Sequence, residues 1–270
     1  MDDEKNGRAR AESKVPAVTL GFWAIKILAT TLGETGGDAV TMSWLGETTP
    51  EASGRGYLIG TALFAALLVA LVLVQIRARR FNPWLYWATI VASTTCGTTL
   101  ADFADRSLGI GYAGGSALLL ACVLGSLGAW YAATGSVRVE TVATPRTEAF
   151  YWLTITFSQT LGTALGDWAA DDEGLGLGFG IGALVFGAGL ALLAGLYLWT
   201  RTSRVLLFWA AFILTRPLGA TVGDLFDKPV AQGGLHMSRT GASLVLALLI
   251  VALIALLPQR PGRHDAAGES

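Results

Sequence analysis

Apolar stretches recur along the chain, and each is close to the 20 or so residues that a helix needs to cross a bilayer. They fall near residues 17–42, 56–76, 84–104, 110–133, 149–170, 174–199, 205–226 and 240–257. The pattern predicts an all-α integral membrane protein with eight transmembrane helices. The polar ends, residues 1–14 and 259–270, are predicted to be disordered cytoplasmic tails around a membrane domain of residues 15–258.

The odd-numbered stretches carry one motif four times. In each copy a Trp is followed ten residues later by Gly and fifteen residues later by Asp, and the residue before the Asp is small. The copies run from Trp23 to Asp38, Trp87 to Asp102, Trp152 to Asp167 and Trp209 to Asp224. With the apolar stretch that follows, each makes a two-helix repeat, near residues 15–80, 81–140, 145–202 and 203–258. Repeats with an even number of helices point the same way, so a pseudo-fourfold axis or nested twofold axes along the membrane normal are predicted.

The odd and even stretches differ in polarity. The even ones contain almost only Leu, Ala, Val and Gly, which is typical of lipid-facing helices. In the odd ones, the positions 4, 7 and 8 residues before each Asp share its helical face and are mainly Thr or charged. Small residues 5 and 1 before each Asp form a second stripe that permits close helix packing in lipid. We therefore predict four inner polar helices, packed through glycines, inside a sheath of four outer apolar helices.

Carboxylates within these apolar stretches are the candidate functional groups, because an ionisable residue at membrane depth is costly. The predicted metal ligands are Glu34, Asp38, Asp102, Asp167 and Asp224. Carboxylates gathered in this way must hold protons, bind a cation or do both. Oxygen ligands suit hard divalent cations such as Mn²⁺, and the lack of His or Cys at this level argues against zinc or copper. Glu34 and Asp38 lie four residues apart and are placed to chelate one ion.

Polar side chains at the same faces are predicted to line a substrate pathway. They are Thr30, Thr31, Thr94, Thr98, Gln159 and Thr163. Helix packing explains the threonines equally well, since a Thr hydroxyl bonds back to its own helix. Arg216, two turns deeper than the Asp level, is predicted to be the counter-ion of Glu34 or an Asp. Two alternatives stay open: a tethered charge that fills the site when substrate leaves, or a binder of an anionic substrate. Lys26 is expected to snorkel to the cytoplasmic interface.

Composition supports the membrane assignment and excludes several classes of function. The chain is 53% apolar and 14% charged with a mean hydropathy of +0.53, whereas soluble domains carry about 25% charged residues. No basic patch interleaved with aromatics indicates nucleic acid as a partner. Cys96 and Cys122 lie in apolar stretches and are expected to be free thiols. No nucleophile elbow, Walker, HExxH or dinucleotide motif is present, so neither an enzyme nor a cofactor is predicted.

The charges between the stretches predict the orientation. Thirteen basic residues lie in the ends and the even connections, and only four lie in the odd connections: Arg55, Arg106, Lys228 and Arg239. Positive charge concentrates on the cytoplasmic side, so both termini are predicted to be cytoplasmic. The opposite loops carry acids such as Asp171 and Asp227, which are expected to be solvated.

Four segments resemble a family of bacterial membrane proteins known as uncharacterised membrane-anchored proteins, some described as predicted efflux-pump components. The segments are Lys14–Leu20, Gly33-Glu34-Thr35 ahead of Asp38, Glu148–Leu153, and Thr215–Ala220 with Gly223-Asp224. The likeness covers residues 14–258 and implies a location in the bacterial inner membrane. A weaker likeness is to cation exporters with Glu-x-Gly-Asp before a basic residue. Here Glu34 and Asp38 are one residue farther apart and Ala39 follows, so it serves as an analogy for carboxylate chemistry only.

The expected function is a secondary transporter that exports a divalent, Mn²⁺-like cation through the carboxylate site, with the bilayer, the metal cation and protons as partners. Proton coupling follows because carboxylates exchange a bound metal for protons. One alternative is a structural or accessory membrane protein with a buried charge network, which should be near neutral, whereas this level has one Arg against five acids. Another is a small organic-substrate efflux protein. The sequence leaves the ion, the direction, a continuous pathway and the oligomeric state open.

Overall fold

The computed structural model describes residues 13–49, 52–104 and 111–262. Within these ranges the protein is helical, and the prediction of an all-α fold with eight long helices is confirmed. The helices are α1 Leu20–Asp38, α2 Arg55–Arg77, α3 Pro83–Asp102, α4 Tyr112–Thr134, α5 Pro145–Ala170, α6 Gly178–Trp199, α7 Arg204–Asp227 and α8 Arg239–Leu256. Their ends differ from the predicted ends by at most four residues.

The four odd helices begin in the same way. A side-chain oxygen caps the first turn of each by accepting a backbone N–H, and the capping residues are Thr19, Asn82, Thr144 and Ser203. Such caps satisfy N–H groups that have no partner inside the helix. Proline follows the cap in α3 and α5, where its missing N–H costs nothing. These caps define where each inner helix begins, 4 to 8 residues before the tryptophan of its motif.

Helix α1 does not stop at Asp38 but widens into a π-helix over Ala39–Trp44. Its backbone bonds span five residues, as in Leu45 N to Val40 O at 2.9 Å. The Thr41 hydroxyl bonds back to the carbonyl of Gly37 at 3.0 Å. π-Helical turns are rare and are frequent at functional sites. This one follows directly on a candidate ligand.

Helices α1, α3, α5 and α7 form a closed inner ring, in which each packs against two neighbours in the order α1, α3, α5, α7 and back to α1. A glycine lies at every seam. A Cβ added there would come within 3.0 Å of the next helix in four equivalent contacts: Gly33 with Thr94, Gly97 with Gln159, Gly162 with Arg216, and Gly219 with Thr30. The predicted packing through glycines is therefore confirmed. Each of these glycines packs against the residue that lies eight positions before the Asp of the next repeat.

The outer helices are offset by one position around this ring. Helix α2 packs on α3, α4 on α5, α6 on α7, and α8 closes the circle on α1. The inner helix that precedes each of them in the chain is at most a minor neighbour. The two helices of one predicted repeat therefore pack mainly on neighbouring repeats and only weakly on each other.

Inner and outer helices differ in what they bury. Five helices, α2, α4, α6, α7 and α8, are long and apolar enough to cross a membrane by length and composition. The outer helices expose large apolar side chains, such as Leu63 at 56%, Leu184 at 73% and Leu248 at 61%. Helices α1, α3 and α5 instead bury Thr, Gln and carboxylate side chains inside the ring. Polar groups thus face the axis and apolar groups face outward.

Eight aromatic residues, called here the aromatic layer, pack together near the first turns of the inner helices. They are Phe22, Trp23, Tyr86, Trp87, Tyr151, Trp152, Phe208 and Trp209. The Phe or Tyr ring of each helix contacts the tryptophan of the next helix, with centroids 5.4 Å apart for Phe22 and Trp87 and 5.7 Å apart for Tyr86 and Trp152. Trp87 and Trp152 are 1% and 2% exposed. Three of the four repeat tryptophans, Trp87, Trp152 and Trp209, are therefore core residues, and Trp23 packs against them partly buried.

Residues before α1 and after α8 hold this end of the molecule together. Lys14 Nζ forms an ion pair with Glu148 at 2.5 Å and donates to the carbonyls of Gln75 and Ile76, both at 3.2 Å. These carbonyls belong to the last turn of α2, where a cation is favoured. Two segments that carry the family resemblance, those of Lys14 and Glu148, thus meet in space.

The described parts of the two tails are ordered. Ser13 and Lys14 are buried, and Pro16 forms a β-bridge with Pro261. Gly262 N also donates to Val15 O at 2.8 Å. The prediction of disordered tails is wrong for residues 13–14 and 259–262, because backbone groups of the two ends satisfy each other. The rest of the tails lies outside the described residues.

Gly97→Ala is expected to destabilise the protein, because the new Cβ would lie 2.9 Å from backbone atoms of Gln159 and Thr160, which cannot move independently. Overpacking of this kind costs about 1–3 kcal/mol, or roughly 3–10 °C in melting temperature for a chain of this size. The matched control is Gly125→Ala on α4, where nothing lies within 4 Å of the added atom. Thermal unfolding of the purified protein in detergent measures both. Equal melting temperatures for the two variants would contradict the glycine seam.

Candidate functional site

Three layers of polar positions lie along the inner ring, one residue from each inner helix per layer. The deep layer is Thr30, Thr94, Gln159 and Arg216; the middle layer is Glu34, Thr98, Thr163 and Ala220; the Asp layer is Asp38, Asp102, Asp167 and Asp224. None of the twelve is more than 4% exposed. Because the seams are equivalent, residues at the same position of each repeat meet at the same level.

Three carboxylates converge at the seam between α7 and α1. Glu34, Asp38 and Asp224, called here the carboxylate cluster, each offer one oxygen, and these oxygens all lie within 4.8 Å of one another. Glu34 and Asp38 share a face one turn apart. Asp224 reaches them because Gly223 has no side chain, and a Cβ there would lie 2.7 Å from that of Glu34.

The other two predicted ligands lie at the same level but outside this cluster. Asp102 on α3 and Asp167 on α5 are 2% and 4% exposed. The structure thus brings three of the five predicted ligands together. The reason is that only the first repeat has an acid, Glu34, in its middle layer.

Arg216 is the centre of the polar network. Its Nη2 lies 2.9 Å from Glu34 Oε2 and 2.5 Å from the hydroxyls of Thr98 and Thr163. One guanidinium nitrogen therefore joins α7 to all three other inner helices. Arg216 occupies the position that the counter-ion prediction requires. Its Nε and Nη1 make no hydrogen bond with any residue that the structure describes.

Lys228 enters the carboxylate cluster from the residue that follows α7. Its Nζ lies 2.7 Å from Asp38 Oδ2 and 2.9 Å from Asp224 Oδ1, with Met42 Sδ at 3.8 Å. The sequence pattern places Lys228 in a loop, yet it is only 8% exposed. A signal was present, because Lys228 follows Asp224 by the four residues of a helical ion pair. The second oxygen of Asp38, Oδ1, is buried and makes no hydrogen bond within the described ranges.

Residues 228–238, called here the closing segment, connect α7 to α8 beside the cluster. Asp227, expected to be solvated, is 5% exposed and pairs with Arg239 Nε at 3.0 Å. Arg239 Nη1 in turn lies 3.3 Å from Ser43 Oγ in the π-helix. Backbone bonds fix the segment, including His236 N to Lys228 O at 3.0 Å. The end of α7, the start of α8 and the π-helix are thus tied together.

A further cation, Lys26, lies between the deep layer and the aromatic layer. Lys26 is fully buried, with Nζ 4.1 Å from the centre of the Phe212 ring and 3.5 Å from Gln159 Oε1. The expectation that Lys26 snorkels is wrong, because the aromatic layer fills the route towards the helix start. Thr94 Oγ1 and Gln159 Nε2 nearby in the deep layer make no hydrogen bond among the described residues.

The predicted pathway threonines have different partners. Thr98 and Thr163 bind Arg216. Among the described residues, Thr31 bonds to the carbonyl of Ile27 in its own helix, at 3.0 Å, as the packing alternative expects. Thr30 bonds to its own helix and also across the seam to the carbonyl of Thr215 at 3.1 Å. The middle-layer hydroxyls are therefore the ones that contact charge.

Comparison with known families identifies the repeats. The family described as Repeat of Unknown Function (DUF347) matches residues 21–81, 85–136, 150–203 and 207–258, and the chain belongs to this family. The four internal repeats predicted from the Trp-to-Asp motif are thereby confirmed. Each matched range contains one inner helix and the outer helix that follows it in the chain. No curated protein and no solved structure matches the chain.

Arg216→Met is expected to lower stability strongly, because it leaves Glu34 buried without its cation. Breaking a buried pair in this way costs about 3–5 kcal/mol. The double variant Arg216→Met/Glu34→Gln removes both charges and should melt higher than Arg216→Met alone. Thermal unfolding in detergent, arranged as a double-mutant cycle, measures the coupling. Arg201→Met, at an exposed arginine, is the control. Strictly additive effects would show that the pair contributes no coupling.

Proposed function

We propose that this member of the DUF347 repeat family is a secondary membrane transporter that exports a divalent, Mn²⁺-like cation. Glu34, Asp38 and Asp224 are its ligands. The observation that carries the proposal is the carboxylate cluster, whose three oxygens lie within 4.8 Å of one another in the protein interior. Asp38 Oδ1 there makes no hydrogen bond with a described residue, which leaves an oxygen ready for an ion.

The donor set supports a hard cation. Buried carboxylates are costly unless a positive charge is near, and carboxylate oxygens suit Mg²⁺, Ca²⁺ and Mn²⁺. Two oxygens on opposite sides of an ion are about 4.0–4.2 Å apart around Mg²⁺ and about 4.6–5.2 Å apart around Ca²⁺. A spread of at most 4.8 Å needs only a small contraction for the smaller ion.

Membrane insertion belongs to the same proposal. All eight helices cross the bilayer, with the outer four against lipid and the inner four inserted because their polar faces pack on each other. The apolar surface of α2, α4, α6 and α8 supports this, since soluble proteins rarely expose such patches. The positive-inside rule and the family resemblance favour a bacterial inner membrane with both termini in the cytoplasm.

Transport then requires two gates on one axis. The aromatic layer lies at the cytoplasmic ends of the inner helices, and the closing segment lies beside the carboxylate cluster. Phe22 and Asp38 are separated by about 24 Å of helix rise, so one gate can open while the other stays closed. Asp102 and Asp167 add negative charge at the level of the cluster. Carboxylates that lose the ion accept protons, which couples export to proton uptake.

A structural or accessory role is the second candidate, and the ion pairs favour it. Lys228 and Arg239 join Arg216 as cations that contact buried carboxylates. The charge imbalance that argued against a structural network is thus smaller than one Arg against five acids. The organic-substrate alternative is less favoured, because the aromatic layer is packed ring against ring.

Expression of the protein is expected to lower the cellular content of one divalent metal, and Asp38→Asn/Glu34→Gln is expected to abolish this effect. The substitutions remove two anionic ligands at nearly constant shape. Elemental analysis of cells with and without the protein measures the change and identifies the ion. The matched control is Asp172→Asn/Glu173→Gln, which neutralises two exposed acids of the α5–α6 connection. No change in any metal would sink the export proposal.

Asp224→Asn and Asp167→Asn separate the transporter from the structural network. Both remove one buried carboxylate at the same repeat position, but only Asp224 belongs to the carboxylate cluster. For a transporter, Asp224→Asn should lose at least ten-fold in metal export and Asp167→Asn much less. Export assays and melting temperatures are measured on the same two preparations. If both variants only melt lower and export is unaffected, the structural role replaces the transporter.

A further inference from the structure

We propose that Lys228 is a tethered competitor for the cation site. Its ammonium occupies the cation position between Asp38 and Asp224, and it withdraws when a divalent ion binds. This inference rests on the proposed function and adds a cause for selectivity to it. The sequence leaves a tethered charge open for Arg216, whereas it assigns Lys228 to a loop and not to the site.

The distances show that the ammonium and an ion need the same atoms. Nζ donates a charge-assisted hydrogen bond to Asp38 Oδ2 at 2.7 Å. It forms an ion pair with Asp224 Oδ1 at 2.9 Å. A metal ion bound by these two oxygens lies about 2.0–2.6 Å from each. Two cations cannot both lie between these two oxygens, so the binding of one displaces the other.

Lys228 can leave without opening the fold. Its backbone is held on both sides, by Lys228 N to Asp224 O at 2.9 Å and by His236 N to Lys228 O at 3.0 Å. Pro229 follows and restricts the chain further. The side chain is flexible and, at 8% exposed, lies closer to solvent than Asp38, which is fully buried. Withdrawal is therefore a rotamer change of one lysine.

The charge of the cluster explains why a divalent ion, and not a monovalent one, replaces the Lys228 ammonium. Three carboxylates contact two cations in the cluster, Arg216 and Lys228, which leaves one negative charge. A monovalent ion in place of Lys228 changes nothing in this balance, whereas a divalent ion makes the group neutral. Opposite charges attract strongly in a low-dielectric interior. A divalent ion therefore displaces the Lys228 ammonium, whereas a monovalent ion does not.

An ordinary ion pair nearby serves as the comparison. Arg239 pairs with Asp227 at the same end of α7, but Asp227 is not one of the three clustered acids. Removing Arg239 also deletes one partly buried positive charge. A general electrostatic effect would raise cation affinity in both variants, whereas competition for one position raises it only when Lys228 is removed.

The test is Mn²⁺ binding to the purified full-length protein by titration calorimetry, in wild type, Lys228→Met, Lys228→Arg and Arg239→Met. Lys228→Met should bind Mn²⁺ at least ten-fold more tightly and should become sensitive to competition by Na⁺. Lys228→Arg and Arg239→Met should stay within about three-fold of wild type. Equal affinities for wild type and Lys228→Met would overturn the competitor and leave the transporter intact. Absence of Mn²⁺, Mg²⁺ and Ca²⁺ binding in every variant would overturn the proposed function itself.

A second measurement needs no variant and covers the case in which Lys228→Met does not fold. Saturating Mn²⁺ should increase the modification of Lys228 by an amine-reactive reagent several-fold in the wild-type protein, because the withdrawn Nζ reaches water. Mass spectrometry quantifies the site, and the fully buried Lys26 is the internal control. Unchanged or reduced modification of Lys228 while Mn²⁺ is bound would refute the exchange.

Discussion

The inner helices approach each other closely at their glycines, and the polar interior of the ring depends on this close approach. With no Cβ at the seam, one backbone receives a polar side chain of the next helix, as Gly162 receives Arg216 and Gly219 receives Thr30. The same contact at every seam turns threonines, an amide and carboxylates towards each other. Those groups then satisfy one another, since an unpartnered charge in an apolar interior is very costly. Helix packing and charge pairing therefore stabilise the same arrangement.

The ring is nearly symmetric in shape, whereas its chemistry is concentrated at one seam. Glu34 stands where the second and third repeats have threonine, and the deep layer is charged only in the fourth repeat, at Arg216. Lys228 follows the Asp of the fourth repeat by four residues, a position that is also basic in the second repeat. The first and fourth repeats meet because the ring closes, so the first and last quarters of the chain build the carboxylate cluster together. The other seams supply hydroxyls, of Thr98 and Thr163, that hold the Arg216 guanidinium. The repeated packing provides the scaffold, and the residues that differ between repeats provide the site.

Periodic features were predictable from sequence, and features of tertiary origin were not. The four repeats, the helix ends and the glycine stripe follow from spacing, because they repeat at fixed intervals. The location of Lys26 and Lys228 depends on what blocks or attracts their side chains, here the aromatic layer and two carboxylates. Only Lys228 had a local signal, its four-residue distance from Asp224. The π-helix after Asp38 and the offset of the outer helices have no composition signal, since both are set by neighbouring helices.

The offset of the outer helices also bears on biosynthesis. Helix α1 is translated first, yet its neighbours α7 and α8 are translated last. During most of translation, Lys26, Glu34 and Asp38 lack the helix that carries Arg216 and Lys228. Until about the last sixty residues have been synthesised, the charged side chains of α1 need water or another protein as a partner. The β-bridge between Pro16 and Pro261 then joins the oldest and the newest segments, and its formation marks a finished molecule.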